Sequence, residues 1–295
     1  MKLTLWADDE LLVTTLWKQD EKIKEGVLHF KGPETERADF AEKLLLRWQE
    51  FLSSVLDVSV QNVKGSELVW QNRAIKPSQK KWVKDFTHQL RDFAEIRVLE
   101  LPFLWEEELP ELAQLSGLPL ITRKALYDKV TLEAVGQQTQ LQRFIWVDLG
   151  EGTTVAAVEK GILLDLHSSW SGEGPMGLAQ AGNLFTLDLI HWAFQDEMDF
   201  KKAEEQILYH AGWEAWKGKM LERDWESMLA YQVGKEIGAM RAVLRGKVEG
   251  VILTGKLVAR QEFLQEIVGS LPEGLSYEVY PQVDLSLGLL KVSAL

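Results

Sequence analysis

An α/β architecture of two mixed-sheet domains around a central cleft is predicted for this 295-residue chain by two observations. Short strand-like apolar runs alternate with longer segments whose apolar residues recur at helical spacing. The succession of three strands, helix, strand, helix and strand occurs twice, on either side of a polar stretch at Gln137–Arg143.

In the first half, Leu3–Ala7, Leu11–Trp17 and Gly26–Phe30 read as strands, with Asp8-Asp9 and Gln19-Asp20 as turns. Phe40, Leu44, Leu45, Trp48, Phe51, Leu52 and Leu56 fall on one face of a helix over Thr35–Leu56. Glu67–Trp70 reads as a strand, Ser78–Phe93 as a helix and Glu95–Glu100 as a strand. The second half restarts with strands at Phe144–Leu149, Thr153–Glu159 and Gly161–Leu166. Helices follow near Thr186–Phe194, Phe200–Tyr209 and Arg223–Leu244, then a strand at Gly250–Thr254, a helix at Leu257–Gly269 and a strand at Ser276–Tyr280. The expected domains are 1–142 and 143–295.

Composition narrows the function classes. No Cys is present, which removes disulfides, thiolate metal sites and thiol nucleophiles. The net charge of −12 argues against nucleic acid or an anionic membrane as partner. No run of 18 apolar residues and no basic-then-apolar leader is found, so a cytoplasmic location is expected. His29, His88, His167, His191 and His210 have no metal-ligand spacing, and no metal-binding residues are expected from them.

The stretch with the most chemical content is Asp148-Leu149-Gly150-Glu151-Gly152-Thr153-Thr154, set between two strand-like runs. Glycines let backbone N–H groups approach phosphate oxygens, and Thr hydroxyls add donors. A strand ending in a carboxylate, then glycines and hydroxyls, resembles the phosphate loop of the actin, hexokinase and heat-shock ATPase superfamily, whose domains have the ribonuclease H-like fold. A plain hairpin turn is the competing reading of the same residues.

Further segments carry a closer resemblance. Ser116-Gly117-Leu118-Pro119 with Arg123-Lys124, Gly172-Glu173-Gly174-Pro175, Tyr231-Gln232 with Lys235-Glu236-Ile237-Gly238-Ala239-Met240, Gly246-Lys247-Val248, Leu253-Thr254-Gly255 and Tyr280-Pro281 follow one another in order. Over about its last two-thirds the chain resembles the acetate and butyrate kinase family. The resemblance implies ATP with Mg²⁺, a short carboxylate substrate and a homodimer formed through the second domain. It implies Gly150, Gly152, Thr153, Thr154 and Gly255 as nucleotide and phosphate contacts, with Lys256 beside them, and leaves Arg73, Asp148 and Glu173 as the catalytic candidates.

Against the same family, most catalytic positions have changed. The first phosphate loop is replaced by Asp8-Asp9-Glu10, carboxylates that would repel phosphate unless a metal bridged them. The substrate-binding arginine corresponds to Gln71, with Arg73 two residues on and on the same strand face. The family's Asp-Pro is Leu101-Pro102, its two histidines are Asp128 and Asp148, and its transition-state arginine is Gln180. Asp284 stands near the position of a lost acid. Lys256 replaces a glycine bordering the adenosine slot, where it would fill the slot or reach the phosphates; filling is the expectation.

Phosphoryl transfer depends on positioned charge. The expectation is therefore a binding protein with eroded catalytic residues, holding ATP and Mg²⁺ weakly or engaging a partner. An active carboxylate kinase using Arg73, Lys76, Arg123 or Lys256, and a structural subunit of an active paralogue, are the alternatives.

Overall fold

The computed structural model describes residues 2–8, 11–18, 21–30, 39–56, 66–73, 80–92, 96–195, 198–216 and 222–294. Among them the strands form two five-stranded mixed sheets and one two-stranded ribbon. The chain divides into two compact units, the first made of Met1–Phe103, Lys129–Gln137 and Asp284–Leu295, the second of Leu104–Asp128 and Gln138–Val283. A single cut at 142/143 does not describe this division, because a middle helix and the C-terminal helix both return to the first unit.

In the first unit, β1 (Lys2–Ala7), β2 (Leu11–Lys18), β3 (Glu21–His29), β4 (Glu67–Asn72) and β5 (Arg97–Leu101) pair in the order β3-β2-β1-β4-β5. The meander β1-β2-β3 is antiparallel, and β4 and β5 continue in parallel with β1. Leu3, Leu5 and Ala7 alternate into a core with Phe40, Leu44, Trp48, Phe51 and Leu52 of helix Phe40–Ser54 and with Trp82, Phe86 and Leu90 of helix Lys80–Asp92. Buried indoles need a partner for their N–H. Trp17 donates to Thr4, Trp48 to Thr14 and Trp70 to Thr87, each at 3.0 Å.

Helix Leu285–Val292 contacts β1 and β4. It crosses helix Lys129–Gln138 at Gly288, where any side chain would strike the Val130 carbonyl. Sequence periodicity did not reveal this C-terminal helix, although Asp284 caps it and Leu285, Leu289 and Val292 have helical spacing.

In the second unit, β6 (Trp105–Glu108) and β7 (Lys124–Tyr127) form an antiparallel ribbon. The sheet runs β10-β9-β8-β11-β12, with β8 (Arg143–Leu149), β9 (Thr153–Glu159), β10 (Ile162–Ser168), β11 (Gly250–Thr254) and β12 (Tyr277–Tyr280). Every residue of β11 is buried, as expected for an inner parallel strand covered on both faces. Helix Glu222–Val243 lays Trp225, Leu229, Val233, Ile237 and Met240 into the core, beside helix Gln261–Gly269. Of its two glycines, Gly234 meets Ser270 closely, whereas Gly238 has open space beside it. The helix expected from Leu257 is broken: a 3-10 turn at Lys256–Ala259 ends at Arg260, whose backbone is extended, before the α-helix begins. Among the described residues no helix is long and apolar enough to cross a membrane.

Candidate functional site

In each sheet the chain departs from one strand in both directions. β1 lies between β2 and β4, and β8 between β9 and β11. At such a reversal the loops beyond the carboxyl ends of the parallel neighbours diverge and leave a crevice, the usual ligand position in open α/β sheets. Asp148, Gly150, Gly255 and Lys256 lie at the reversal of the second unit and Arg73 at that of the first.

At the β8–β11 reversal, Asp148 stands opposite Thr254 in the strand register. The Thr254 hydroxyl donates to Asp148 Oδ1 at 2.8 Å and accepts from Trp146 Nε1 at 3.0 Å. The carboxylate is thus fixed by a buried hydroxyl that is itself fixed by a buried indole. Gly152 is pressed against the Trp170 indole, with no room for a side chain. Thr153 N–H donates to Ser169 Oγ at 2.9 Å and the Thr153 hydroxyl to the Met176 carbonyl at 2.9 Å. The Thr154 and Ser168 hydroxyls are 3.1 Å apart. Gly152, Thr153 and Thr154 are buried, and the hydroxyls expected to face phosphate are bonded inside the hairpin instead. Gly150 and Glu151 remain on the open side of the turn.

Gly255 has φ = +96°, and its backbone lies against the Leu149–Gly150 peptide so closely that a Cβ would collide with it. Lys256 starts from this crossing and forms an ion pair with Glu151. Lys256 was expected to fill a slot or to reach toward phosphate; its ammonium here pairs with a carboxylate of the glycine turn.

Glu173 is held by another cation. Arg123 Nε and Nη2 donate to its two oxygens at 2.8 and 3.1 Å. The same guanidinium reaches Asp165 at 3.2 Å and the carbonyls of Ala113 at 2.7 Å and Leu166 at 2.9 Å. These bonds, led by Glu173, hold Arg123 more firmly protonated than an ordinary arginine. Five donors fixed on two carboxylates and two carbonyls make a clamp for the Gly172–Pro175 loop. The sequence marks Arg123 by motif, but nothing in its spacing reveals this network.

Gln180 is fully buried, and among the described residues neither of its amide atoms has a hydrogen-bond partner. It packs beside Gly177, which in turn lies against Gly152 and the Glu151 carbonyl. His167 pairs with Glu236, a contact that no spacing in the chain predicts.

At the β1–β4 reversal, Arg73 N–H donates to the Ala7 carbonyl at 2.7 Å. Its guanidinium donates to Gln71 Oε1 at 3.1 Å and Thr131 Oγ1 at 3.3 Å, and lies 4.9 Å from the Phe103 ring centroid. Arg73 and Gln71 share a face, as alternation predicts. Gln71 is fully buried and donates to the Pro102 carbonyl at 2.9 Å. Asp8 performs a turn role: its carboxylate accepts from Leu11 N–H at 3.0 Å and its N–H donates to the Leu11 carbonyl at 3.1 Å. Asp9, Glu10 and Lys76 lie outside the described residues. Leu101 and Asp128 are buried at the ends of β5 and β7.

Asp284 does not join a site. It caps the C-terminal helix through Ser286 and pairs with Lys22 at 2.8 Å. Burial alone would raise its carboxyl, but the bonds from Lys22 and Ser286 outweigh that and hold it below the usual carboxylate range.

The solved structure of Porphyromonas gingivalis acetate kinase superposes over 99% of this chain and 98% of its own, with TM-score 0.66 and 14% identity. A Francisella tularensis propionate kinase gives TM-score 0.67 at 11% identity, covering 98% and 97%. These are two-domain proteins of the actin-like ATPase fold, and that is the fold of this chain. A protein of Listeria monocytogenes named probable butyrate kinase is 29% identical over 184 residues, 55% of this chain and 52% of the relative. The chain is similar in sequence to proteins named probable butyrate kinase. The Enterococcus faecalis probable butyrate kinase is 28% identical over 197 residues, 59% of this chain and 55% of its own. The chain thus spans about half the length of these curated butyrate kinases, and no protein-family model matches it.

Proposed function

We propose that this chain is a butyrate-kinase-like binding protein that holds an adenine nucleotide weakly at the β8–β11 reversal and forms little or no acyl phosphate. Gln180 carries the reading. At the position resembling the family's transition-state arginine stands a neutral carboxamide, fully buried. A neutral amide cannot offset charge spread over equatorial phosphoryl oxygens.

Asp148 and the backbone of the Gly150 turn are donor types that suit magnesium and phosphate. Among the described residues no cluster of three or more His, Asp or Glu side chains gathers to hold a metal. Magnesium bound with the nucleotide would take Asp148 as a protein carboxylate ligand. Bound there, it would screen phosphate charge beside the turn.

Hydroxamate trapping with ATP and acetate, propionate or butyrate tests the reading. Product at background level is expected, and turnover near ~1 s⁻¹ would overturn it. Arg73 supports a second reading, a working carboxylate kinase with a relocated cation, because its guanidinium is retained at the β1–β4 reversal. In that case Arg73→Gln would abolish measured turnover.

The second unit is also read as a homodimer surface. Helix Thr186–Gln195 has no buried residue, and Phe185, Leu187, Phe194 and Phe200 are 83%, 73%, 81% and 81% exposed. Contiguous apolar exposure of this kind marks association surfaces. A monomer mass by light scattering across the micromolar range would remove this reading and the structural-subunit alternative with it.

A further inference from the structure

The turn that follows β8 and the turn that follows β11 are locked in register by Gly255, whose left-handed backbone rests on the Leu149–Gly150 peptide. The first side chain beyond that crossing is Lys256, and the outermost side chain of the opposing turn is Glu151. Their ion pair therefore spans the two turns at the ends of β8 and β11, where Asp148 is held by Thr254. Gly152, Thr153 and Thr154 are sealed behind it, so the open side of the turn presents one ammonium and the Glu151 carboxylate to an arriving ligand.

We propose that Glu151 and Lys256 act as an electrostatic latch that sets the affinity of this crevice for polyphosphate, Glu151 occupying the ammonium that a phosphate would otherwise take. The proposal rests on the reading of the second unit as a nucleotide site. Both partners are substantially exposed, 35% for Glu151 and 55% for Lys256. An exposed ion pair is worth little in stability, so the latch opens at small cost. Its larger effect is on charge. While the pair is closed the turn is close to neutral; without Glu151 the ammonium faces the crevice alone, and without Lys256 an unpaired carboxylate does. A phosphate oxygen gains from the first arrangement and loses from the second.

The two single substitutions consequently have opposite signs. Calorimetric titration of the full chain with Mg-ATP is expected to show about ten-fold tighter binding for Glu151→Gln and several-fold weaker binding for Lys256→Gln. The double variant returns close to wild type. Adenosine serves as the control ligand: it lacks phosphates, and its affinity stays the same in all four proteins. Inorganic tripolyphosphate follows the ATP pattern. Equal ATP affinity in wild type and Glu151→Gln, or weakening by both single changes, overturns the latch while leaving nucleotide binding intact. If no variant binds ATP or tripolyphosphate, the nucleotide reading fails and the latch with it.

Discussion

His167 Nδ1 hydrogen-bonds the Glu236 carboxylate, tying β10 to the long helix that covers the second sheet. The same histidine has Gly174 packed against its Cβ, so the contact sits behind the Gly172–Pro175 loop. The bond from Glu236 raises the imidazole pKa above its ordinary value, against the opposing effects of burial and of Arg123, and Glu173 adds to the rise.

A raised folded pKa fixes the sign of a pH dependence. The contribution of His167 is fully present below the unfolded value of about 6.5 and is lost as pH rises through the higher folded value. Thermal unfolding of the wild type should therefore occur at lower temperature as pH is raised from 6 to about 8. His167→Asn should flatten that slope. An unchanged slope would remove His167 as its source.

An arginine placed at position 180 should not confer catalysis. Gln180 is sealed, with Gly177 against it, so a longer charged side chain meets both overpacking and desolvation. Gln180→Arg is expected to lower stability by about 1–3 kcal/mol and to give no hydroxamate product. Denaturant titration and the trapping assay together check this.

Arg123→Met should be among the more damaging single changes. It strands Glu173 and Asp165, both mostly buried, and frees two carbonyls. A loss of about 3 kcal/mol is expected. Glu173→Gln keeps a hydrogen-bond acceptor for the guanidinium and should cost less than half as much. A reversed ranking in urea unfolding would show that Glu173 has a role apart from the clamp.

Gly255→Ala places a Cβ against the Leu149–Gly150 backbone at φ = +96°. Backbone cannot yield as a flexible side chain can. Destabilisation well above 1 kcal/mol is expected, accompanied by loss of the Glu151–Lys256 pair. Retention of wild-type stability would mean that the two turns separate readily.

Alternation and helical spacing placed most strands and long helices, because each buries one face in its own unit. β6 and β7 escaped that reading: Trp105-Glu106-Glu107-Glu108 is acidic, and its pairing depends on ladder bonds and on Lys124 with Glu106. The helix at Leu285–Val292 was missed because it follows a short polar linker and its buried face is completed by distant chain. Motifs single out Asp148, Gly150, Gly255 and Lys256, which lie at the β8–β11 reversal, but no local pattern shows where their side chains turn. Thr153 and Thr154 alternate across a strand like any other residues, and only the packing of Met176, Ser168 and Ser169 draws their hydroxyls inward. The Glu151–Lys256 and Arg123–Glu173 pairs join residues separated by 105 and 50 positions, a relation that no local pattern encodes.

The crossing of Gly288 over Val130 has a consequence for biosynthesis. A ribosome delivers β1 first and the helix that contacts it more than 250 residues later. At ordinary elongation rates of about 5–20 residues per second, the first sheet waits roughly ten seconds or longer for that cover. Both segments of the second unit, Leu104–Asp128 and Gln138–Val283, have emerged by then and can fold around their own core. β1 therefore precedes its covering helix in the chain by the whole of the second unit, and the first core closes only after that unit has been made.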